Sequence, residues 1–123
     1  MSDHSTTVAE LRELVRRFVD ERDWRRFHTP KNLASSIAIE AAELMEHFQW
    51  LTPEQSKEVA GDAGKLHAVG EELADVLCYA FALANELGLD VADCVQAKMK
   101  RNAEKYPADE FRGRYGPDDR SGT

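Results

Sequence analysis

A chain of 123 residues fits one domain of about 100–150 residues and buries only a modest core. Its 42% hydrophobic and 32% charged content is that of an ordinary globular protein and excludes a disordered one. With 16 basic against 23 acidic residues, a net charge of −7, it lacks the basic face of a general nucleic-acid binder, though a cation would still bridge it to a phosphorylated small molecule.

The first helix is predicted to start near Thr7, where Thr7 and Glu10 have capping-box spacing. Val8, Leu11, Leu14, Val15, Phe18 and Val19 then recur with a helical period. The pattern runs out between Arg22 and Phe27, and Thr29-Pro30 breaks the chain, because a residue before proline avoids helical angles. A second helix is expected from Pro30–Leu33 to about Trp50, with Leu33, Ile37, Ala41, Leu44, Met45 and Phe48 as its apolar stripe. Thr52-Pro53-Glu54 opens a short helix to about Ala60, after which Gly61 and Gly64 mark a loop. The longest run of helix formers spans about Lys65 to Leu87 and is closed by Gly88. Asp90 caps a fifth helix through about Lys105, and Pro107 stops it.

No segment alternates like an antiparallel strand, so the expected fold is all-α, a bundle of four main helices plus a short one. The domain is placed at residues 7–107, with a polar, mobile tail over 108–123. Nothing approaches the ~18 consecutive apolar residues of a membrane span, and the first ten residues lack the apolar core of a signal peptide. A cytoplasmic location and no membrane partner are therefore expected. Cys78 and Cys94 lie in apolar helical patterns and read as buried free thiols.

Two acidic motifs carry the chemistry: Glu40-x-x-Glu43 on the second helix and Glu72-x-x-Asp75 on the fourth. A spacing of three puts both carboxylates of each pair on neighbouring positions of one face. At about 100° of rotation per residue, Glu40 and Glu72 fall at the edge of their helix's apolar stripe. Either motif alone in a Glu-rich protein is ordinary solvated surface. Two at stripe-edge positions of neighbouring helices would crowd four carboxylates, raise their pKa values, and be relieved by a divalent cation. Oxygen-only ligands favour Mg²⁺, with Mn²⁺ the alternative, over zinc. A di-iron reading fits poorly, since it needs Glu-x-x-His pairs and Glu43 and His47 are four apart.

Five segments, in order, resemble the MazG-like nucleotide pyrophosphohydrolases, and among them the dCTP pyrophosphatase-like branch. They are Glu21-Arg-Asp-Trp24-Arg-Arg-Phe27-His28-Thr-Pro30-Lys31-Asn32-Leu33, Glu40-Ala-Ala-Glu43-Leu44, Phe48-Gln49-Trp50, Glu71-Glu72-Leu73-Ala-Asp75-Val76-Leu77-x-Tyr79, and Lys98-Met-Lys-x-Asn102-x-x-Lys105-Tyr106-Pro107. The resemblance implies Mg²⁺-dependent hydrolysis of a nucleoside triphosphate, dCTP or a modified dCTP, to the monophosphate and pyrophosphate. It further implies a homo-oligomer, dimer or tetramer, with the bundle enlarged and the active sites completed across subunits. Carried over by position, Glu40, Glu43, Glu72 and Asp75 would hold the metal, with Glu40 and Glu43 catalytic and Glu40 the favoured base. Trp24, Trp50 and Tyr79 would line the base pocket, with His28, Lys31 and Asn32 in its loop and Lys98 and Asn102 near the phosphates. On sequence alone the two tryptophans read first as core or interface residues, although the helical wheel puts Trp50 a two-turn step beyond Glu43, on the same side and off the apolar stripe. The cations around Lys98 read equally as partners of a helix C-terminus. A histidine that some relatives carry in the first helix corresponds here to Val15, which bears on substrate preference. The Trp-rich motif argues against a phosphoribosyl-ATP pyrophosphohydrolase. A non-catalytic helical scaffold or partner-binding module is the alternative from another class.

Overall fold

Five of the helices open on a threonine or aspartate whose side-chain oxygen accepts a free N–H of the first turn. The computed structural model describes residues 1–114. In α1 (Val8–Glu21) the Thr7 hydroxyl accepts from Glu10 N at 3.1 Å, and in α2 (Pro30–Glu46) Thr29 accepts from Asn32 N at 3.2 Å. α3 (Pro53–Lys57) carries a full reciprocal box, with Gln55 N to Thr52 at 3.1 Å and Thr52 N to Gln55 at 2.9 Å. Asp62 caps α4 (Ala63–Leu87) and Asp90 caps α5 (Val91–Lys105). Each such cap contributes about 1 kcal/mol. 3₁₀ turns at Arg25–Phe27 and Glu58–Gly61 and a last short helix, α6 (Ala108–Phe111), complete the set. The chain is all-α, with no strand among the described residues.

Three boundaries differ from expectation. The Asp62 carboxylate accepts from Lys65 N and draws α4 back through Gly64, which the sequence marks as loop. α2 ends at Glu46 rather than near Trp50, because the chain tightens into i→i+3 bonds (Phe48 N to Met45 O, Leu51 N to Phe48 O, both 2.9 Å) ahead of the turn into Thr52-Pro53. At the start of the expected polar tail, α6 forms directly after Pro107, and its Phe111 meets Tyr106 edge-to-face at 5.1 Å; the rest of the expected tail, 115–123, lies outside the described residues.

Met1–Leu89 form one compact unit, and a second begins at Asp90. In the first, α4 is the axis against which α2, α1 and the Glu58–Gly61 turn pack. α2 runs antiparallel to α4: His28, just before α2, meets Tyr79, and Glu40 meets Glu72. Among the described residues Leu33 is the one large side chain sealed from solvent, at 1% exposure, and Val19, Val59, Ala82 and Ala84 are also buried. A leucine so placed is worth about 2–5 kcal/mol against alanine. The apolar residues outnumber the surface one chain covers. Met45, assigned to the buried stripe of α2, is exposed, as is Ile39, and Leu66, Leu73 and Leu77 form an exposed line along α4. Cys78 and Cys94 are likewise exposed rather than buried, for the same reason. In the second unit none of the described residues is buried. Among the described residues no helix is long and apolar enough to cross a membrane.

Candidate active site

The antiparallel contact of α2 and α4 brings Glu40, Glu43 and Glu72 together, one carboxylate oxygen of each lying within 4.8 Å of the others. Glu40 and Glu72 are half-buried, and each has an Oε2 out of water with no hydrogen-bond partner. No lysine or arginine among the described residues forms an ion pair with any of the three. The consequence falls on Glu40, whose pKa is raised from 4.5 to about 7. Its hydrogen-bond contact with Glu43 is the largest cause, followed by burial, the charge of Glu43, contact with Glu72, and the charge of Asp75. Asp75, one turn further along α4, is exposed and stays outside the tight group of three, acting on Glu40 through its charge. Crowded anions with orphaned oxygens and no cationic side chain are a donor set that a hard divalent ion fits.

A second feature is built by the end of α1. Asp23 takes the left-handed conformation (φ 53°), in which its N–H reaches Asp20 O at 3.1 Å and Trp24 N–H reaches Val19 O at 3.0 Å. This is the Schellman closure of a helix, with aspartate in the place where glycine is usual. It turns Trp24 back toward Val19 and beside Phe18, edge-to-face at 5.6 Å. The following 3₁₀ turn is tied on both sides: Asn32 Nδ2 donates to Phe27 O at 3.1 Å, and Arg25 pairs with Glu86 of α4 at 3.2 Å. His28 then lies 6.5 Å from Trp24 and 6.3 Å from Tyr79, ring centre to ring centre.

These rings line a half-open cavity of about 460 Å³ together with Leu14, Val15, Phe18, Val19, Asp75, Cys78 and Ala82. The volume is that of a small-ligand site. Burial, and then the carboxylates Glu40 and Asp75, push the Tyr79 phenol up, so it stays a donor. Burial, then Asp75, also pushes the Cys78 thiol up, which keeps it from acting as a thiolate. Asp75 therefore belongs to the cavity and to the field of the carboxylate group at once.

Of the expected ligand-contacting residues, Trp24, His28 and Tyr79 meet at this cavity. Trp50 does not meet Trp24 within one chain: it is 86% exposed and borders a separate cavity of about 250 Å³ with His47, Lys65 and Val69. Once α2 stops at Glu46, the wheel that put Trp50 beside Glu43 no longer applies. Asn32 serves the turn through its amide, and Lys31 is exposed in the first turn of α2. Lys98 and Asn102 lie on α5 of the second unit, where Asn102 O accepts from Tyr106 N at 2.8 Å. Phe18, Leu14 and Cys78 are cavity residues whose helical period reads as core, and no local pattern in the sequence marks their meeting with Trp24.

The model of the MazG-like family matches residues 35–115. The chain is 38% identical over 107 residues to dCTP pyrophosphatase 1 of Bos taurus, covering 87% of this chain and 63% of that one. It is 39% identical over 102 residues to dCTP pyrophosphatase 1 of Homo sapiens, covering 83% and 60%. It thus spans somewhat less than two thirds of the length of these curated relatives. Among solved structures, a pyrophosphatase from Archaeoglobus fulgidus superposes with a TM-score of 0.73 at 40% identity, covering 87% of this chain and 98% of that one.

Proposed function

Since this chain belongs to the MazG-like family, we propose that it is a Mg²⁺-dependent nucleoside triphosphate pyrophosphohydrolase that converts dCTP, or a modified dCTP, to the monophosphate and pyrophosphate. The observation that carries this reading is the carboxylate group of Glu40, Glu43 and Glu72 lying next to an aromatic cavity, with Asp75 common to both. The relatives named dCTP pyrophosphatase 1 support the choice of substrate.

Glu40, Glu43 and Glu72 would hold the cation, with Asp75 completing the set. When bound, it supplies charge neutralisation for the polyphosphate oxygens. The chain's own residues do the rest. Trp24 and Tyr79 offer flat faces to the base, the Tyr79 O–H remains a hydrogen-bond donor, and Phe18 and Leu14 exclude water from the ring. Glu40, the most crowded of the carboxylates, takes the proton of the attacking water, with Glu43 beside it to share that proton. His28, Lys31 and Asn32 shape the loop of the pocket; by the family resemblance Lys98 and Asn102 of α5 would serve the phosphates and Trp50 the base.

The reading includes a homo-oligomer in the cytoplasm and the 7–107 segment as the catalytic domain. The exposed line Leu66, Leu73, Leu77, with Ile39 and Met45, gives a second copy something to cover. Light scattering after size exclusion should return a mass of at least two chains.

Pyrophosphate release measured across a panel of nucleoside triphosphates, with and without Mg²⁺, tests the whole reading. We expect dCTP or a modified dCTP to be turned over fastest and only with the cation, and Glu43→Gln to stay folded without turnover. A panel with no turnover, or wild-type rates in Glu43→Gln, would remove it.

A further inference from the structure

Behind the wall of the aromatic cavity sits a residue that does not line it. Arg22, the last residue of the α1 terminus, lays its guanidinium 3.7 Å from the centre of the Phe18 ring. Its Nη1 donates to the Phe18 carbonyl at 3.0 Å. That carbonyl is one of the last four of α1, which have no partner inside the helix; its neighbours Val19 and Asp20 are taken by the Schellman turn. The guanidinium therefore grips one residue at two points, its backbone oxygen and its ring face. The ring in turn stands edge-to-face against Trp24.

We infer that Arg22 is a positioning residue for the nucleotide base: it fixes Phe18 against Trp24 and so sets the wall on which the base stacks. This rests on the base-binding reading of the cavity. Phe18 is 48% and Trp24 41% exposed, so packing alone leaves both rings free to change rotamer. A wall ordered in advance spares the ligand the entropy of ordering it. A cation over an exposed ring corresponds to about two- to fivefold in an equilibrium constant. That sets the size of the effect to look for.

Arg22→Leu is expected to raise the KM for dCTP about two- to fivefold with kcat unchanged. Phe18→Leu also raises KM, and Arg22→Leu adds nothing in the Phe18→Leu background, since Arg22 acts through that ring. The chain has two tryptophans, so a Trp50→Phe protein leaves Trp24 as the sole emitter. There Arg22→Leu shifts the emission of the free protein, and the shift vanishes once Phe18 is leucine. Additive effects in either cycle would overturn the inference, as would full recovery in Arg22→Lys, which would mean that a charge at the helix end suffices without the stacked plane. The two readings fail separately. No turnover of any nucleotide by the wild-type protein defeats the proposed function and leaves the emission cycle to judge whether Arg22 sets Trp24. Normal turnover with additive substitutions defeats the Arg22 role alone.

Discussion

The carboxylate group and the aromatic cavity share Asp75, yet opposite physics holds them in place. The cavity supports itself: the Schellman turn aims Trp24, the Arg25–Glu86 pair and the Asn32–Phe27 bond tie the 3₁₀ turn down, and Val19 and Ala82 are buried beneath it. The carboxylate group is held against its own repulsion by the packing of α2 on α4 around Leu33. One region gains stability from being formed, while the other lowers stability through its own repulsion, which on the proposed function a cation would relieve. A site assembled this way separates recognition from chemistry. Substitutions in the cavity should alter affinity and leave the ion alone, and substitutions among the carboxylates should trade activity against stability.

The sharpest way to break that contrast is Glu40→Gln. Activity should fall on the order of 10²–10⁴-fold in kcat, the usual contribution of a general base. The metal-free protein should melt at a higher temperature than wild type at pH 8, because one charge has left the crowded group. A variant that lost both activity and stability would contradict the picture of a strained anionic site. Next in size, Trp24→Ala should raise KM by about 5- to 150-fold, matching the ~1–3 kcal/mol of one base stacked on one aromatic ring. Mg²⁺ affinity, read by isothermal titration, should not move. A weakened ion site in that variant would show the two regions to be one.

The third prediction concerns pH. The folded chain holds the Glu40 proton more tightly than an unfolded chain does, with a pKa of about 7 against 4.5. Its contribution therefore favours the fold below about pH 4.5 and is lost as pH rises through 7. In EDTA, the wild-type melting temperature should decline relative to Glu40→Gln across that window and level off above it. Added Mg²⁺ should reverse the decline. A difference between the two proteins that ignores pH would remove the assigned cause. The smallest effect belongs to the cavity's scaffold. Asp23→Gly should stabilise the protein by roughly 0.5–1 kcal/mol, the cost of a left-handed residue less the entropy a glycine adds to the unfolded chain. Trp24 emission should stay as it was.

The same contrast governs what could be read in the chain beforehand. Caps are local, so Thr7, Thr29, Thr52, Asp90 and the Gly88 closure are visible as short patterns, and the helices they start or stop follow. Glu40-x-x-Glu43 and Glu72-x-x-Asp75 are also short patterns, and their stripe-edge positions allow convergence without requiring it; the structure brings Glu40, Glu43 and Glu72 together and leaves Asp75 just outside. The cavity is different, because Phe18, Trp24, His28 and Tyr79 come from three segments and only the backbone turn at Asp23 brings the first two face to edge. Asp62 was hidden by the glycines on either side of it, although its carboxylate was the cap to look for. Periodicity marked Met45, Cys78 and Cys94 as apolar-facing, but it does not say how many neighbours are available to cover them. Trp50 lies beyond the end of α2 at Glu46, so a helical wheel continued through it does not fix the side on which its ring stands.

Asp75 leaves the protein with a constraint on its own divergence. A side chain that lines the cavity and also acts on Glu40 cannot be retuned for one without disturbing the other; on the proposed function, lengthening it to glutamate would shift the preferred ion and the preferred ring system together. Variants that accept new bases should accordingly arise from positions such as Val15 or Leu14, which touch the cavity and not the carboxylates.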